Sequence, residues 1–211
     1  MAQLKNLVFD RQRAEAELGE LRSLLTVRGT GDLREASNIL PFFATHEQLC
    51  ALMGMYNLNI MNYGEIHVAR EFSIFGDHKA DLVIGDRNNK QFCFVEFEDA
   101  TSTSIFKKAG RKAAAEWSAR YDHGFSQLVD WILWIENNKG TAAHTARFGA
   151  PSIQFVMLMV IGRDRDLADE SLRQRFEWRN DSVVVASKKV HCITYDKLYK
   201  DLAERLKIFD R

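Results

Sequence analysis

The sequence predicts a mixed α/β fold: one core with a central mixed sheet flanked by helices, plus an N-terminal helical extension. Three observations lead there. The chain has 211 residues, 46% of them hydrophobic and 11% aromatic, which is material for one sizeable core. Three short strand-like runs follow one another in its first half, separated by turn-like connections. After them, segments with apolar residues at helical spacing alternate with apolar runs of strand length, the order that gives a layered α/β core.

In chain order, the first twenty-five residues carry Leu4, Leu7, Leu18, Leu21 and Leu25 among charges, and "RGTGD" at 28 to 32 breaks the pattern with two glycines. This is a lead-in helix, and we place a boundary between an extension at 1–40 and the main domain at 41–211. Residues 32 to 57 resume helical character, interrupted at Pro41; in "THEQLCALMGMY" Thr45 is the candidate N-cap, with Glu47 and Gln48 in the first turn. "EIHVAREFSIF", "ADLVIGD" and "QFCFVEFE" then read as a three-strand meander joined by "GDHK" and "DRNNK". From about 105 to 137 the text turns helical, with Trp117, Tyr121, Gly124, Leu128, Trp131 and Ile135 recurring every three or four residues. "SIQFVMLMVIG" is a buried strand, "DRDLADESLRQRFEW" a helix, "DSVVVAS" and "VHCIT" strands, and "YDKLYKDLAERLKIF" a closing helix.

Composition excludes several classes. Lys plus Arg equals Asp plus Glu at 29 each, so no global charge draws the chain to nucleic acid or to an anionic membrane, and any polyanion must meet a local patch. Cys50, Cys93 and Cys192 are odd in number and set in apolar or helical contexts, which predicts reduced, packed thiols and a cytoplasmic location. The N-terminus lacks a secretory apolar core, and the longest apolar run is too short to span a bilayer, so no membrane partner is expected. The six histidines are scattered without zinc spacing. No phosphate-binding glycine loop, serine elbow or Cys–His pair is present.

The chemistry concentrates in "QFCFVEFED". Side chains alternate along a strand, so Glu96 and Glu98 project to one face, and a meander brings Asp81 beside Glu96 across the sheet. Three like charges this close raise one another's pKa unless a cation is present, and an oxygen-only donor set suits Mg²⁺ or Mn²⁺. Such an ion assists phosphodiester hydrolysis by polarising the phosphate and acidifying a bound water. The plainer alternative is that acids after a strand lie where the sheet opens to solvent, and an E-x-E pair by itself does not decide between the two.

The segment "HKADLVIGDRNNKQFCFVEFEDA" resembles the D-x(n)-(D/E)-x-K core of the PD-(D/E)xK nuclease superfamily, in an E-x-E variant. With "FSQLVDWILWIENN" and "ITYDKLYKDLAERL", the chain resembles the Shedu family of prokaryotic anti-phage nucleases over about residues 45 to 206. The resemblance implies a restriction-endonuclease-like core and a metal-dependent DNA endonuclease acting in phage defence. It assigns metal ligation to Asp81 and Glu96, an assisting role to Glu47 on the helix before the sheet, and a site-facing position to Gln127 on the helix after it. The departure is Glu98, which stands where the superfamily usually has lysine; a carboxylate there can accept the water's proton or add a metal ligand. A catalytically silent nuclease fold that senses DNA ends or a phage protein is the alternative.

Other candidate residues have plainer alternative roles. His78 lies in the turn before Asp81, where it meets a phosphate or only solvent. Lys107, Lys108, Arg111 and Lys112 in "KKAGRK" follow the acidic strand end, and read equally as DNA backbone contacts or a solvated helix start. Trp117, Tyr121, Trp131 and Trp134 fit core packing better than base stacking. Cutting both strands of DNA needs two acid sites, so a homo-oligomer, a dimer or a pair of dimers, is expected, helped by the leucine-bearing residues 1 to 27, with a phage gene product as a conceivable trigger.

Overall fold

The computed structural model describes residues 3–27, 31–60, 65–108 and 114–208. A seven-stranded mixed sheet runs through the middle, in the order β1 (Lys5–Leu7), β2 (Ile66–Ser73), β3 (Lys79–Asp86), β4 (Gln91–Phe97), β7 (Gln154–Val160), β9 (Lys188–Ile193) and β8 (Val184–Val185). The first four strands pair antiparallel; β2, β3 and β4 form the three-strand meander the sequence predicts, β1 is a strand where the sequence reads as helix, and β4–β7 and β7–β9 are parallel. The parallel pairs are those whose connections are long enough to contain helices, α4 (Ala119–Asn137) and α5 (Ala142–Phe148) before β7, and α6 (Glu170–Ser182) before β9.

Alternation along the strands sorts the core into two layers. Cys93, Val95 and Phe97 of β4 face a cluster with α1 (Arg11–Val27), α3 (Glu47–Leu52) and α7 (Tyr195–Ile208). Phe92 and Phe94 face the other cluster, with Tyr121, Leu128 and Trp131 of α4 and Phe148 of α5. The aromatic stripe on α4 is therefore core at Tyr121 and Trp131, while Trp134 is 39% exposed. All three cysteines are buried free thiols. Among the described residues no helix is long and apolar enough to cross a membrane.

Several local expectations are corrected. The long helix begins at Ala119, not near residue 105: Ser118 caps it by accepting from Tyr121 N, and the chain before it forms a short ribbon, β5 (Phe106–Lys107) against β6 (Glu116–Trp117). Pro41 does not interrupt a helix but sits in the first turn of α2 (Leu40–Thr45), where its missing N–H has no intrahelical partner to lose. Thr45 closes α2 instead of capping α3; its hydroxyl donates back to Phe42 O. "DSVVVAS" contributes only the two residues of β8, because α6 continues through Ser182.

The N-terminal segment has a place in the core. β1 adds the edge strand beside β2, and Ala14, Leu21 and Leu25 of α1 are buried among the same side chains as α3 and α7. Glu17, 5% exposed, supplies the N-terminal cap that Thr45 does not: its Oε2 accepts from Gln48 N at 2.9 Å and Leu49 N at 3.0 Å, while Oε1 accepts from Arg13 Nε at 3.0 Å. Two backbone donors at the start of α3 thus depend on one carboxylate from α1. Glu17→Ala is expected to lower stability by roughly 2 kcal/mol, and Tm by roughly 4–8 °C. Calorimetry on the full chain measures this, and a melting temperature within a degree of the parent would show that the cap carries no weight.

Candidate functional site

The acids meet where β3 and β4 part. The β3–β4 ladder ends at Leu82–Val95, so Asp81 and Glu96 are the next residue of each strand; Glu96 follows Phe92 and Phe94 in alternation toward α4, while Asp81 lines a cleft with Phe43, Glu47 and Phe97 on the α2–α3 side. Beyond that point Asp81 takes over from the backbone: its Oδ2 accepts from Phe97 N at 2.8 Å. On its other side, Asp81 lies between the Arg70–Leu82 and Phe72–Ala80 pairs of the β2–β3 ladder, opposite Glu71. Glu71 has φ +48°, a left-handed conformation that is uncommon for a residue with a Cβ and costs on the order of 1 kcal/mol.

Glu98 follows β4 and is 1% exposed. Its backbone N donates to Val160 O at 2.9 Å, and its carbonyl accepts from Tyr195 Oη at 2.8 Å. Its carboxylate lies against α4 at Gly124, where a Cβ would stand 2.7 Å from Glu98 Oε1, so only glycine leaves room. Arg120, one turn earlier on α4, holds Glu98 Oε2 at 2.9 Å and Glu35 Oε2 at 2.8 Å through the same Nη1, with Nη2 3.4 Å from Asp99 Oδ2. Asp99 in turn accepts from Glu35 N at 2.7 Å and pairs with Arg34 at 3.2 Å, which ties the turn at Glu35–Ile39 to the end of β4.

Electrostatics follow from this crowding. Burial raises the Glu96 carboxyl far above the ordinary range, and the charges acting most strongly on it, Asp81, Glu98, Glu35 and Glu71, are all acids. Burial also raises Asp81, against the lowering effect of the Phe97 N–H, and Glu35 and Glu71 add to the rise. Burial lifts Glu98 to about 7 although Arg120 pulls it down, and Glu35 is raised for the same first reason. Burial raises the Tyr195 hydroxyl, with Asp81 and Glu98 adding to it.

Glu47, the first residue of α3, is exposed and lines a cleft of about 660 Å³ together with Asp81. Gln127 is half-buried on α4 one turn beyond Gly124, on the side that carries Arg120. His78 stands in the β2–β3 turn with its ring 5.9 Å from Trp134, a packing contact with α4. Lys107 and Lys108 are exposed, on and just after the β5 ribbon rather than at a helix start; Arg111 and Lys112 lie outside the described residues. The structure therefore brings Asp81, Glu96 and Glu98 together and puts Glu47 in the same cleft as Asp81, while His78 packs on α4 and Lys107 and Lys108 lie on and just after the β5 ribbon. Sequence reading missed Glu35, Glu71 and Arg120. Antiparallel pairing of β2 with β3 would have found Glu71; the other two carry no local signal.

Among the described residues no three His, Cys, Asp or Glu side chains are grouped so as to hold a metal ion. The donor set on offer is the Asp81–Glu96 pair, and Mg²⁺ is commonly bound through one or two carboxylates, with waters and substrate phosphate completing its shell. That pair, buried and surrounded by acids, fits a hard divalent cation.

The raised carboxyls set a pH dependence. In the fold Glu98 keeps until about pH 7 a proton that the unfolded chain, with an ordinary carboxyl near 4.5, has already released. Glu98's contribution to stability therefore falls as pH rises between those values and levels off above them, while Glu96, raised further, goes on losing stability at higher pH. In EDTA, melting the protein at pH 5 and pH 8 should show a loss on the order of 2 kcal/mol at the higher pH, and Glu98→Gln should shrink it. A Glu98→Gln variant with the parent's full pH dependence would refute this.

The comparisons with known proteins fall on this region. A family model described as "Shedu protein SduA, C-terminal" matches residues 32–199, a span from the Glu35 turn to α7 that contains every acid of the cluster. No curated protein matches the chain. With the match covering most of its length, the chain belongs to the Shedu family of anti-phage defence proteins.

Proposed function

We propose that this chain is a divalent-metal-dependent DNA endonuclease of the PD-(D/E)xK type, with a restriction-endonuclease-like core, acting in that defence. The observation that carries the proposal is the pair of half-buried Asp81 and buried Glu96 at the end of the β3–β4 ladder, with acids as the strongest charged influences on Glu96. Without a cation such a pair only destabilises the fold, so its placement makes sense as a binding site. Asp81 and Glu96 would hold Mg²⁺ or Mn²⁺, and Glu47 lines the same cleft as Asp81. When bound, the ion polarises the scissile phosphate and lowers the pKa of a coordinated water.

The chain's own groups supply the rest. Glu98, titrating near 7, takes the water's proton as its oxygen bonds to phosphorus and the P–O ester bond breaks; the departing oxygen collects a proton from solvent. Arg120, 41% exposed beside Glu98, presents a cation to the phosphate and keeps Glu98 oriented. Gln127 orients the water or a phosphate oxygen from α4. Lys107 and Lys108, with Arg111 and Lys112, contact the DNA backbone, and His78 flanks the strand that carries Asp81.

Asp81→Asn and Glu96→Gln are each expected to reduce plasmid cleavage in Mg²⁺ or Mn²⁺ by about 10³-fold or more while melting no lower than the parent at pH 8, since each removes repulsion. Equal cleavage by either variant would remove the assigned role. A parent protein that binds DNA yet never cuts, and gains cutting on Glu98→Lys, would identify instead a silent nuclease fold used to sense DNA ends or a phage protein. That reading is favoured only by the glutamate standing where lysine is usual.

We also propose a homo-oligomer, a dimer or a pair of dimers, because opposing DNA strands need two acid sites and one chain has one. Light scattering behind size-exclusion chromatography on the full chain should return at least twice the 24.3 kDa monomer mass. A monomer would end this proposal. Removing the residues before Asp32 takes away α1 and its buried leucines, and should cost the cooperative thermal transition itself.

A further inference from the structure

The cleft of about 660 Å³ lies between the β1–β2 edge of the sheet and the α2–α3 segment, and Asp81 belongs both to its wall and to the acid pair. That volume is within the range of small-ligand sites and well above what a single metal ion and its waters need. Its lining is amphipathic in a specific way. Leu7, Leu40 and Val68, all partly exposed, make an apolar floor over the buried Phe43–Phe97 stack, whose ring centroids are 4.3 Å apart. Glu47 and Glu71, both exposed, place carboxylate acceptors on the walls, and Lys5 on the edge strand places a cation at the rim.

We propose that this cleft receives one unpaired nucleotide of the DNA substrate, next to the phosphate presented to Asp81 and Glu96. The inference rests on reading the acid pair as a phosphodiester site. A nucleobase has the apolar faces that the floor takes and edge donors that the two carboxylates accept, and a phosphate on its sugar meets Lys5. A second protein segment fits less well, since a short cleft with carboxylate acceptors on its walls suits a compact planar donor better than a chain. Carboxylate acceptors favour bases with an exocyclic amine, so adenine, cytosine and guanine should be preferred to thymine. Left-handed Glu71 is explained in part by this role: that backbone turns the residue out of the strand's ordinary alternation at the position facing Asp81.

The site can be tested without cleavage. Fluorescence anisotropy in EDTA would compare the full-length protein's binding of a single-stranded oligonucleotide with that of the same strand carrying abasic sugars throughout, whose backbone charge is identical. The base-bearing strand should bind about tenfold tighter, and a thymine-only strand less tightly than a cytosine-only one. Ala44→Trp, an exposed position on the cleft's rim, should fill the pocket and remove the preference while leaving abasic binding and the melting temperature unchanged. Equal affinity for base-bearing and abasic strands, or a preference that survives Ala44→Trp in a folded variant, would overturn the proposal. Plasmid cleavage without base preference would sink the cleft assignment alone. Base preference without cleavage would keep the cleft and sink the nuclease reading.

Discussion

Burial of like charge at one end of the sheet is the constraint on which the rest of this structure depends. Asp81, Glu96 and Glu98 leave the strands within a few positions of one another, and Asp99 and Glu35 stand next to them. Desolvation alone disfavours each ionised carboxyl, and their mutual repulsion compounds it. A fold tolerates this only if the surrounding elements hold the acids there by other means. Arg120 is the main visible compensation, bridging Glu98, Glu35 and Asp99 from one helix position. It reaches only one side of the cluster, so relief for Asp81 and Glu96 must come from protonation or from a bound cation.

The holding elements are mostly backbone and core. Glu98 N on Val160 O, Gly162 N on Asp99 O and the Tyr195 hydroxyl on Glu98 O fasten the chain leaving β4 to β7 and to the start of α7. Phe97 N, which would otherwise continue the ladder, is satisfied by Asp81, so strand separation leaves no orphaned donor at that point. Both layers of the core press on this end: Phe97 stacks on Phe43 on one face, and Gly124 admits Glu98 against α4 on the other. The acids are therefore held by packed backbone and core on their sheet and α4 sides.

How far the sequence announced this follows from which signals are local. The strands β2, β3, β4 and β7 were legible because each is a dense apolar run bounded by turn residues, and the face shared by Glu96 and Glu98 follows from period two. Placing Asp81 beside Glu96 needed only the short β3–β4 connection. Arg120 and Glu35 were not legible: the first depends on where α4 starts, and the sequence around the β5 and β6 strands had a helical pattern in text. The aromatic and alanine content of that stretch mimics helix periodicity, while the actual start is fixed by Ser118 accepting from Tyr121 N. Glu17 as the cap of α3 was equally hidden, since Thr45 satisfies the local rule and loses to a carboxylate from a distant helix.

That last substitution of partners links the N-terminal helix to the chemistry. Glu47 is the first residue of α3, and the next two backbone N–H groups of that helix are held by Glu17 of α1. Asp10 N, just before α1, donates to Gln48 Oε1 at 2.9 Å, and His46 Nε2 lies 3.0 Å from Glu20 Oε2, so the contact is repeated on both sides of the cap. The orientation of Glu47 over the cleft is thus set by α1, although residues 1–31 precede the span that defines the family. The segment that looked like an appendage in the sequence is mechanically the nearest neighbour of one wall of the site, and its own buried leucines keep that wall in place.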